Sequence, residues 1–263
     1  FTKGIKLIGS KNSFWQKRSR KIKYLICLKI LFFNLLNRSD KPLIFAFQAN
    51  IYAVLVAKIL NAKIITRSNS APSGWSNNFI KNKIYKTIIK LADDVMVNSL
   101  DFKKSFKKKF NVNVECIYNP FDKNFIKKNL LNNKVKISFF KKGYLNVISI
   151  GRLTDQKDHL TALKAIEILE PDFKIKMIIM GKGIKKSLLE KYIKDKNLGN
   201  KVKLIGYKKN PYPYLKISNI VLLTSKYEGL PNILLEAQYL KKYIISTNCP
   251  TGPKEILLNG AAG

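Results

Sequence analysis

The sequence predicts an α/β protein built from two doubly wound parallel sheets, each covered by helices on both faces. Short apolar runs, typical of buried strands, alternate with segments whose apolar residues recur at helical spacing. This alternation is clear after residue 144 and recurs less regularly before residue 120. The chain has 263 residues, of which 46% are hydrophobic, so it has enough apolar side chain for two modest cores.

The second half of the chain contains the clearest pattern. Its predicted strands are 145–151, 174–181, 201–206, 220–225 and 243–247, and its predicted helices are 158–170, 186–198 and 232–240. The Pro-rich segment 210–218 is predicted to be a connector. Strands that alternate with helices pair in parallel, and the ligands of such sheets bind at the carboxyl ends of the strands.

The first half repeats the pattern less regularly. It predicts strands at 42–47, 62–68, 93–99 and 114–119, with helices at 51–60 and 82–92. We therefore expect a first domain over 1–120, a basic linker over 121–143 and a second domain over 144–263. The apolar stretch 24–36 is too short for a membrane span and contains Lys29. We expect a helix packed on its own domain, with a helix on a membrane surface as the alternative.

The charge is strongly positive, at +34, with 50 Lys and Arg against 16 Asp and Glu. Such a field attracts nucleic acid, anionic lipid or phosphorylated substrates. The lysines are dispersed in short runs along the sequence, whereas nucleic-acid binding needs clusters interleaved with exposed aromatic residues, so we disfavour that partner. Attraction to an anionic membrane surface and a coding bias toward Lys, Asn and Ile both remain open. The cysteines, Cys27, Cys116 and Cys249, have neither disulfide nor metal-ligand spacing and suit a reducing cytosol.

Two loops that follow predicted strands carry the groups of a diphosphate site. The first contains Arg152 and Lys157, a planar donor fork and a point charge. The second, "SKYEGLPN", leads into a helix near Pro231, whose amino end favours anions, and this helix bears Glu236. A carboxylate at that depth can accept hydrogen bonds from a ribose diol. Taken singly, Arg152 is also a candidate for a structural ion pair and Gly229 for an ordinary helix entry.

Several blocks together resemble the family 4 glycosyltransferases, which have the GT-B fold of two Rossmann-like domains facing a cleft. These blocks are "VMVNS…VECIYNPFD", "VISIGRLTDQKDHLTALKAI" and "LLTSKYEGLPNILLEAQYLKKYIISTNCPTGPKEIL", and they cover most of residues 42–257. Glu228 and Glu236 match the Glu-x7-Glu motif of that family. The resemblance implies retaining transfer of a sugar from a nucleotide donor to an acceptor, with no cofactor and no bound metal.

The resemblance also implies a role for each matching residue. Arg152 and Lys157 would hold the donor diphosphate and stabilise the charge on the leaving group, Glu228 would contact the donor sugar, and Glu236 would bind the ribose. The other donor-side residues are Gly229, Leu230 and Pro231 in the loop, Gly206 and Tyr207 against the base, and Asn119 at the domain junction. The acceptor-side candidates are Gln48, Asn50, Arg67 and Asn69.

Other candidate groups have structural alternatives that we favour. His159 is the only histidine and a conceivable general base, but it begins a helix and is expected to pack or cap there. Gly181-Lys182-Gly183 lacks the full phosphate-binding fingerprint and is interpreted as a tight turn. Ser99 is predicted to cap a helix rather than act as a nucleophile. A direct role for Glu255 is left open.

Alternative functions follow from the same residues. A glycosidase would use the two glutamates as acid and nucleophile, but it would not need phosphate-binding cations beside Glu236. No Asp-x-Asp triplet occurs, so Arg152 and Lys157 are expected to act in place of a metal. A nucleotide-sugar 2-epimerase of the same fold, a basic nucleic-acid- or membrane-binding protein and a non-catalytic relative are the remaining alternatives.

Compared with that family, both ends of the chain are expected to be incomplete. We expect a glycosyltransferase that uses a UDP-linked donor and a glycan or lipid-linked acceptor. The expected location is cytoplasmic, at the inner face of the plasma membrane.

Overall fold

The computed structural model describes residues 18–47, 50–69, 78–131, 137–169 and 173–263. The chain divides into two compact units, residues 1–117 and 118–263. The first segment of the sequence, "FTKGIKLIG", resembles a strand but lies outside the described residues.

The first unit contains a parallel sheet of four strands in the order β1-β2-β3-β4. Its elements are α1 (Arg20–Leu36), β1 (Ile44–Ala46), α2 (Asn50–Ile59), β2 (Ile64–Ser68), α3 (Phe79–Ile89), β3 (Asp94–Val97), α4 (Leu100–Phe110) and β4 (Glu115–Cys116). The strands predicted at 42–47, 62–68 and 93–99 are present in shorter form, and the fourth is reduced to two residues.

Helix α4 shows how a very basic segment still folds against an apolar core. Phe102, Phe106 and Phe110 recur every four residues and are fully buried, so they form one face of the helix. Ser99 accepts a hydrogen bond from the Phe102 backbone N–H and caps the helix, as predicted. The lysines occupy the remaining faces, where they are exposed or partly exposed.

The second unit contains a parallel sheet of five strands in the order β7-β6-β5-β8-β9. Its elements are α5 (Lys123–Leu131), β5 (Leu145–Ile150), α6 (His159–Leu169), β6 (Ile175–Met180), α7 (Lys186–Asp195), β7 (Val202–Gly206), α8 (Tyr212–Ile217), β8 (Ile220–Leu223), α9 (Asn232–Tyr239), β9 (Tyr243–Ser246) and α10 (Pro253–Ile256), with short 3₁₀ turns at Leu198–Asn200 and Leu258–Gly260. The predicted strands and helices of this half are all present.

Alternate residues of the central strands enter two different cores. Val147 and Met177 pack with α6 and α7, whereas Ile148 and Ile178 pack with α5, α8 and α9. Because successive side chains of a strand point to opposite faces, the continuous apolar runs of β5 and β6 cover both faces of the sheet. The predicted doubly wound architecture is therefore confirmed for this unit.

Two segments differ from the sequence-based expectation. The unit boundary falls at residues 117/118, and the segment expected as a linker contains α5, whose Ile126 is buried in the core of the second unit. Asp122 caps this helix by accepting from the Phe125 N–H at 2.9 Å. The predicted Pro-rich connector forms α8, because prolines are tolerated in a first helical turn, where backbone N–H groups have no intrahelical partner. Buried Leu215 anchors it.

Helix α1 extends the predicted helix at 24–36 toward the amino terminus and packs on its own unit. Leu35 is 3% exposed and contacts the core around Val54 and Ile64, so the packed interpretation is confirmed. Leu25 and Phe33 on the same helix remain exposed. Within the described ranges, no helix has the length and apolar character needed to cross a membrane.

Candidate functional site

The candidate site lies at the point where the strand order of the second unit reverses. The chain winds from β5 outward through β6 to β7, and then returns to the other side of β5 with β8 and β9. The loops after β5 and β8 consequently leave the sheet in opposite directions and open a crevice at its carboxyl edge. Arg152 and Lys157 lie in the first loop, and Glu228 lies in the second.

Lys157 and Glu228 form the closest contact between the two loops. The Lys157 Nζ lies 2.5 Å from the Glu228 Oε1, and the side chains are only 15% and 8% exposed. The same carboxylate oxygen accepts from the Ser225 Oγ, also at 2.5 Å. This carboxylate oxygen thus has two hydrogen-bond donors in a buried setting, and loss of the lysine would remove its only cationic partner among the described contacts.

Gln156 connects the remaining parts of the two loops. Its Oε1 accepts from the Arg152 Nη2 at 3.0 Å, and its Nε2 donates to the Tyr227 carbonyl at 3.0 Å. Its own backbone carbonyl accepts from the Lys226 N–H at 2.8 Å. The exposed guanidinium of Arg152 is thereby attached to the β8 loop through one neutral side chain.

The backbone of the β8 loop is held by the segment before α10. Glu228 donates its N–H to the Pro250 carbonyl, and the Thr251 Oγ1 donates to the Glu228 carbonyl at 2.5 Å. Gly252 has φ +86° and approaches so closely that a Cβ there would lie 2.3 Å from the Gly229 carbonyl oxygen. Leu230 is buried, so the predicted loop residues form a fixed, tightly packed turn.

The amino end of α9 faces the same crevice edge, and Glu236 lies in the second turn of this helix. Pro231 precedes the helix and has no side-chain acceptor to cap the first amides. The Tyr212 OH donates to the Glu236 Oε1 at 3.4 Å. Burial raises the pKa of the Glu236 carboxyl above its usual value, an effect that the Tyr212 hydrogen bond partly offsets.

Asn119 has a positioning contact in the structure. Its Nδ2 donates to the Leu230 carbonyl at 3.3 Å and to the Asn232 Oδ1 at 2.6 Å. The neighbouring Tyr118 OH donates to the Glu255 Oε1 at 2.5 Å. The start of the second unit therefore braces the loop before α9 and the helix α10.

Gly206 and Tyr207 follow β7 at the carboxyl edge of the sheet. Gly206 has φ +71°, and Tyr207 is 63% exposed, with the Lys182 Nζ 5.4 Å from its ring centroid. An added Cβ on Gly181 would lie 1.8 Å from the Gly151 carbonyl oxygen. This close approach agrees with the interpretation of Gly181-Lys182-Gly183 as a tight turn.

The acceptor-side candidates lie in the first unit. Asn50 begins α2 and donates from Nδ2 to the Arg67 carbonyl at 3.0 Å, and the Arg67 Nη2 donates to the Ile117 carbonyl at 3.1 Å. Asn69 follows β2 and is exposed. Gln48 lies outside the described residues.

His159 packs beneath the site as a neutral side chain. It is 4% exposed, and its Nδ1 lies 3.0 Å from the Ser149 Oγ. Burial lowers the pKa of the imidazole from its usual 6.5 to about 4. The packing interpretation is therefore confirmed.

A sequence profile of the family "Glycosyl transferases group 1" matches residues 132–263, which is half of the chain. The chain belongs to this family. The match covers the loops after β5 and β8 and the helix α9, so the crevice lies within the part that the family shares.

Relatives in this family fit the same assignment. The chain is 35% identical over 180 residues to an uncharacterized glycosyltransferase of Methanocaldococcus jannaschii, covering 66% of the chain and 44% of that protein. It is 27% identical over 228 residues to the Campylobacter jejuni N-acetylgalactosamine-N,N'-diacetylbacillosaminyl-diphospho-undecaprenol 4-alpha-N-acetylgalactosaminyltransferase, covering 82% of the chain and 60% of that protein. The chain thus spans about half the length of these relatives.

A solved structure shows the fold. The crystal structure of Anabaena HepE in complex with UDP superposes with a TM-score of 0.66 at 16% identity, over 93% of this chain and 73% of that one. This member of the family therefore has the GT-B fold, as the sequence predicts.

Sequence reasoning did not name four residues that support the candidate site. They are Gln156, Tyr212, Ser225 and Thr251, and each holds a predicted site residue through a hydrogen bond. Gln156 is next to Lys157 in sequence and Ser225 is three positions before Glu228, so their polar side chains could have been considered from the sequence. Tyr212 lies 24 positions before Glu236, so only the folded structure reveals that contact.

Proposed function

We propose that this protein is a retaining glycosyltransferase that moves a sugar from a UDP-linked donor to a glycan or lipid-linked acceptor. One observation carries the proposal, namely that Arg152, Lys157, Glu228 and the amino end of α9 meet at the strand-order reversal of the second unit. Crevices of this kind bind nucleotides in open α/β sheets. Family membership supports sugar transfer as the reaction.

The groups present suit the departure of a diphosphate. Transfer breaks the bond between the anomeric carbon and a diphosphate oxygen and forms a bond from that carbon to the acceptor oxygen, whose proton passes to the departing diphosphate. Negative charge grows on the diphosphate, where Arg152, Lys157 and the α9 amides would stabilise it. Glu228 would accept hydrogen bonds from sugar hydroxyls and Glu236 from the ribose. We propose that no metal takes part, because two fixed cations are available for this charge.

The names of the relatives support a proposal for the acceptor class. The C. jejuni relative is named for an acceptor linked to diphospho-undecaprenol, a diphosphate on a long hydrocarbon chain. We propose an acceptor of that class in polysaccharide or glycolipid synthesis, met at the inner face of the plasma membrane. The basic surface would favour an anionic membrane there.

Calorimetric titration of the chain with UDP tests the donor site. We expect UDP to bind, and we expect Arg152→Ala and Glu236→Gln each to weaken binding on the order of 10- to 100-fold, since each removes charge-assisted hydrogen bonds. Lys186→Ala and Glu190→Gln are matched controls, because both remove exposed charges of the same unit, which form a surface ion pair with each other. Unchanged UDP affinity in both site variants would refute the site.

Lys157 and Glu228 require a paired variant. Lys157→Gln alone would leave the buried Glu228 carboxylate unpaired and would reduce stability. The double variant Lys157→Gln/Glu228→Gln keeps the pair neutral, so a loss of UDP affinity in a protein of normal melting temperature reports the missing ammonium.

Proton NMR of the product anomeric signal distinguishes retention from inversion.

A further inference from the structure

Gln156 has an unusual set of contacts for a neutral side chain. It accepts from the guanidinium of Arg152 through Oε1 and donates to the Tyr227 carbonyl through Nε2, while its backbone carbonyl accepts from Lys226. The side chain thus connects two loops that are 71 positions apart in sequence. None of the roles assigned above explains these contacts.

The orientation of the Gln156 amide follows from the chemistry of its partners. A backbone carbonyl can only accept, so the amide nitrogen must face Tyr227. A guanidinium can only donate, so the amide oxygen must face Arg152. One orientation of the amide meets both requirements. In the flipped orientation, the amide oxygen would face the Tyr227 carbonyl oxygen and the amide NH₂ would face the guanidinium. The network therefore has one satisfied arrangement.

Arg152 depends on such a contact more than a buried residue would. Its side chain is exposed, and an arginine that samples many rotamers loses several degrees of freedom when it binds a ligand. A guanidinium that is already oriented presents its donor fork without that loss.

We propose that Gln156 is a positioning residue that orients Arg152 for the donor diphosphate by attaching it to the β8 loop. This inference rests on the proposed function for the role of Arg152. Loss of the Gln156 amide releases the guanidinium, and the site then retains its charge but not its geometry.

The first test needs no ligand. Nitrogen-15 relaxation of the Arg152 guanidinium measures its order, and comparison with Arg152→Ala assigns its signal among the five arginines of the chain. Gln156→Leu should make that guanidinium mobile and speed exchange of the Lys226 amide, which neighbours the lost contact. Gln156→Glu keeps an acceptor for Arg152 but places a carboxylate oxygen against the Tyr227 carbonyl, so the attachment to the β8 loop is lost and the Lys226 amide should again exchange faster. Asp155→Asn is the control, since that exposed carboxylate contacts Lys185 instead.

The second test separates positioning of Arg152 from general support of the loops. Gln156→Leu should weaken UDP binding about tenfold in the presence of Arg152. In the Arg152→Ala background, Gln156→Leu should weaken UDP binding less than twofold, because the guanidinium that Gln156 orients is absent. A purely structural role would give equal losses in both backgrounds.

The two tests distinguish the possible failures. An Arg152 guanidinium that stays equally ordered in Gln156→Leu overturns the inference, as do equal losses of UDP affinity in both backgrounds. If the wild-type chain binds no UDP while the guanidinium is released in Gln156→Leu, the positioning contact stands and the proposed function fails.

Discussion

Glu228 and Glu236 lie eight positions apart in sequence but in different surroundings. Glu228 is buried and accepts hydrogen bonds from a lysine and a serine. Glu236 contacts Tyr212 at 3.4 Å, and burial raises its carboxyl pKa. A glycosidase pair would need a carboxylic acid and a nucleophile facing one bond, whereas Glu228 is occupied by Lys157, a cation suited to phosphate.

The single residue His159 gives a prediction for how the free energy of unfolding depends on pH. Its imidazole pKa is lowered to about 4 in the folded protein, so between pH 6.5 and about pH 4 the unfolded chain takes up a proton that the folded chain excludes. Stability therefore falls as the pH decreases through this window. Wild type should lose up to about 3 kcal/mol more free energy of unfolding than His159→Gln between pH 7.5 and pH 4.

Urea denaturation of both proteins at several pH values measures the His159 effect. The His159→Gln variant is the reference for wild type, because the carboxylates contribute equally to the pH profiles of both proteins. Parallel profiles would show that His159 takes up its proton equally easily in the folded state. Sugar transfer should continue in His159→Gln, since the buried ring is assigned no contact with the reacting atoms.

At the scale of elements, the packing between the segment before α10 and the β8 loop determines where Glu228 lies. Gly252 adopts φ +86°, and an added Cβ would lie 2.3 Å from the Gly229 carbonyl oxygen and 2.7 Å from the Pro231 Cδ. Neither neighbour is the flexible end of a side chain. The loop can relieve such a clash only by moving its backbone.

Gly252→Ala should therefore reduce both stability and donor binding. We expect a loss of at least about 2 kcal/mol in the free energy of unfolding and a weaker UDP affinity, because the loop that presents Glu228 must move. Gly199→Ala is the matched control, since no atom lies within 4 Å of its added Cβ, and it should change stability by less than about 1 kcal/mol. Equal effects of the two substitutions would contradict the close packing.

Two elements show where sequence reasoning at this scale was incomplete. Helix α5 has a single fully buried residue, Ile126, so it has no sustained apolar period to reveal it. Helix α8 has six residues and begins beside two prolines, which are signals of a connector as well as of a first helical turn. Both helices depend on the neighbouring sheet for burial rather than on a pattern of their own.

At the scale of the whole molecule, the fold gathers some of the lysines that are dispersed in the sequence. The Lys176 and Lys203 ammonium groups lie 5.0 and 4.8 Å from the Phe139 ring centroid. Lys141 and Lys176 lie 5.7 and 5.6 Å from the ring of Tyr144. Close lysines repel one another, and the neighbouring rings partly offset this cost.

The net charge of +34 gives a prediction for membrane association. The chain should sediment with vesicles that contain anionic lipid but not with purely zwitterionic vesicles. Raising the salt concentration from about 0.05 to about 0.5 M should release most of it, because screening shortens the range of surface charge. Binding that is independent of lipid charge or of salt would contradict an electrostatic attraction and favour coding bias as the origin of the lysines.

The sequence by itself determined the architecture of the second unit and the part of the chain in which its candidate site lies. The apolar runs at β5 and β6, the helical spacing of α6 and the spacing of Glu228 and Glu236 all depend on neighbours within a few positions. Local periodicity and local spacing are therefore visible without the fold.

Only the tertiary structure decided which groups hold one another in place. The Lys157–Glu228 pair and the Gln156–Tyr227 bond each join residues 71 positions apart, and Tyr212 meets Glu236 across 24. No sequence period connects such partners, because their approach follows from the order of the strands in the sheet. That order brings the loops after β5 and β8 together, and so determines which side chains are buried and paired.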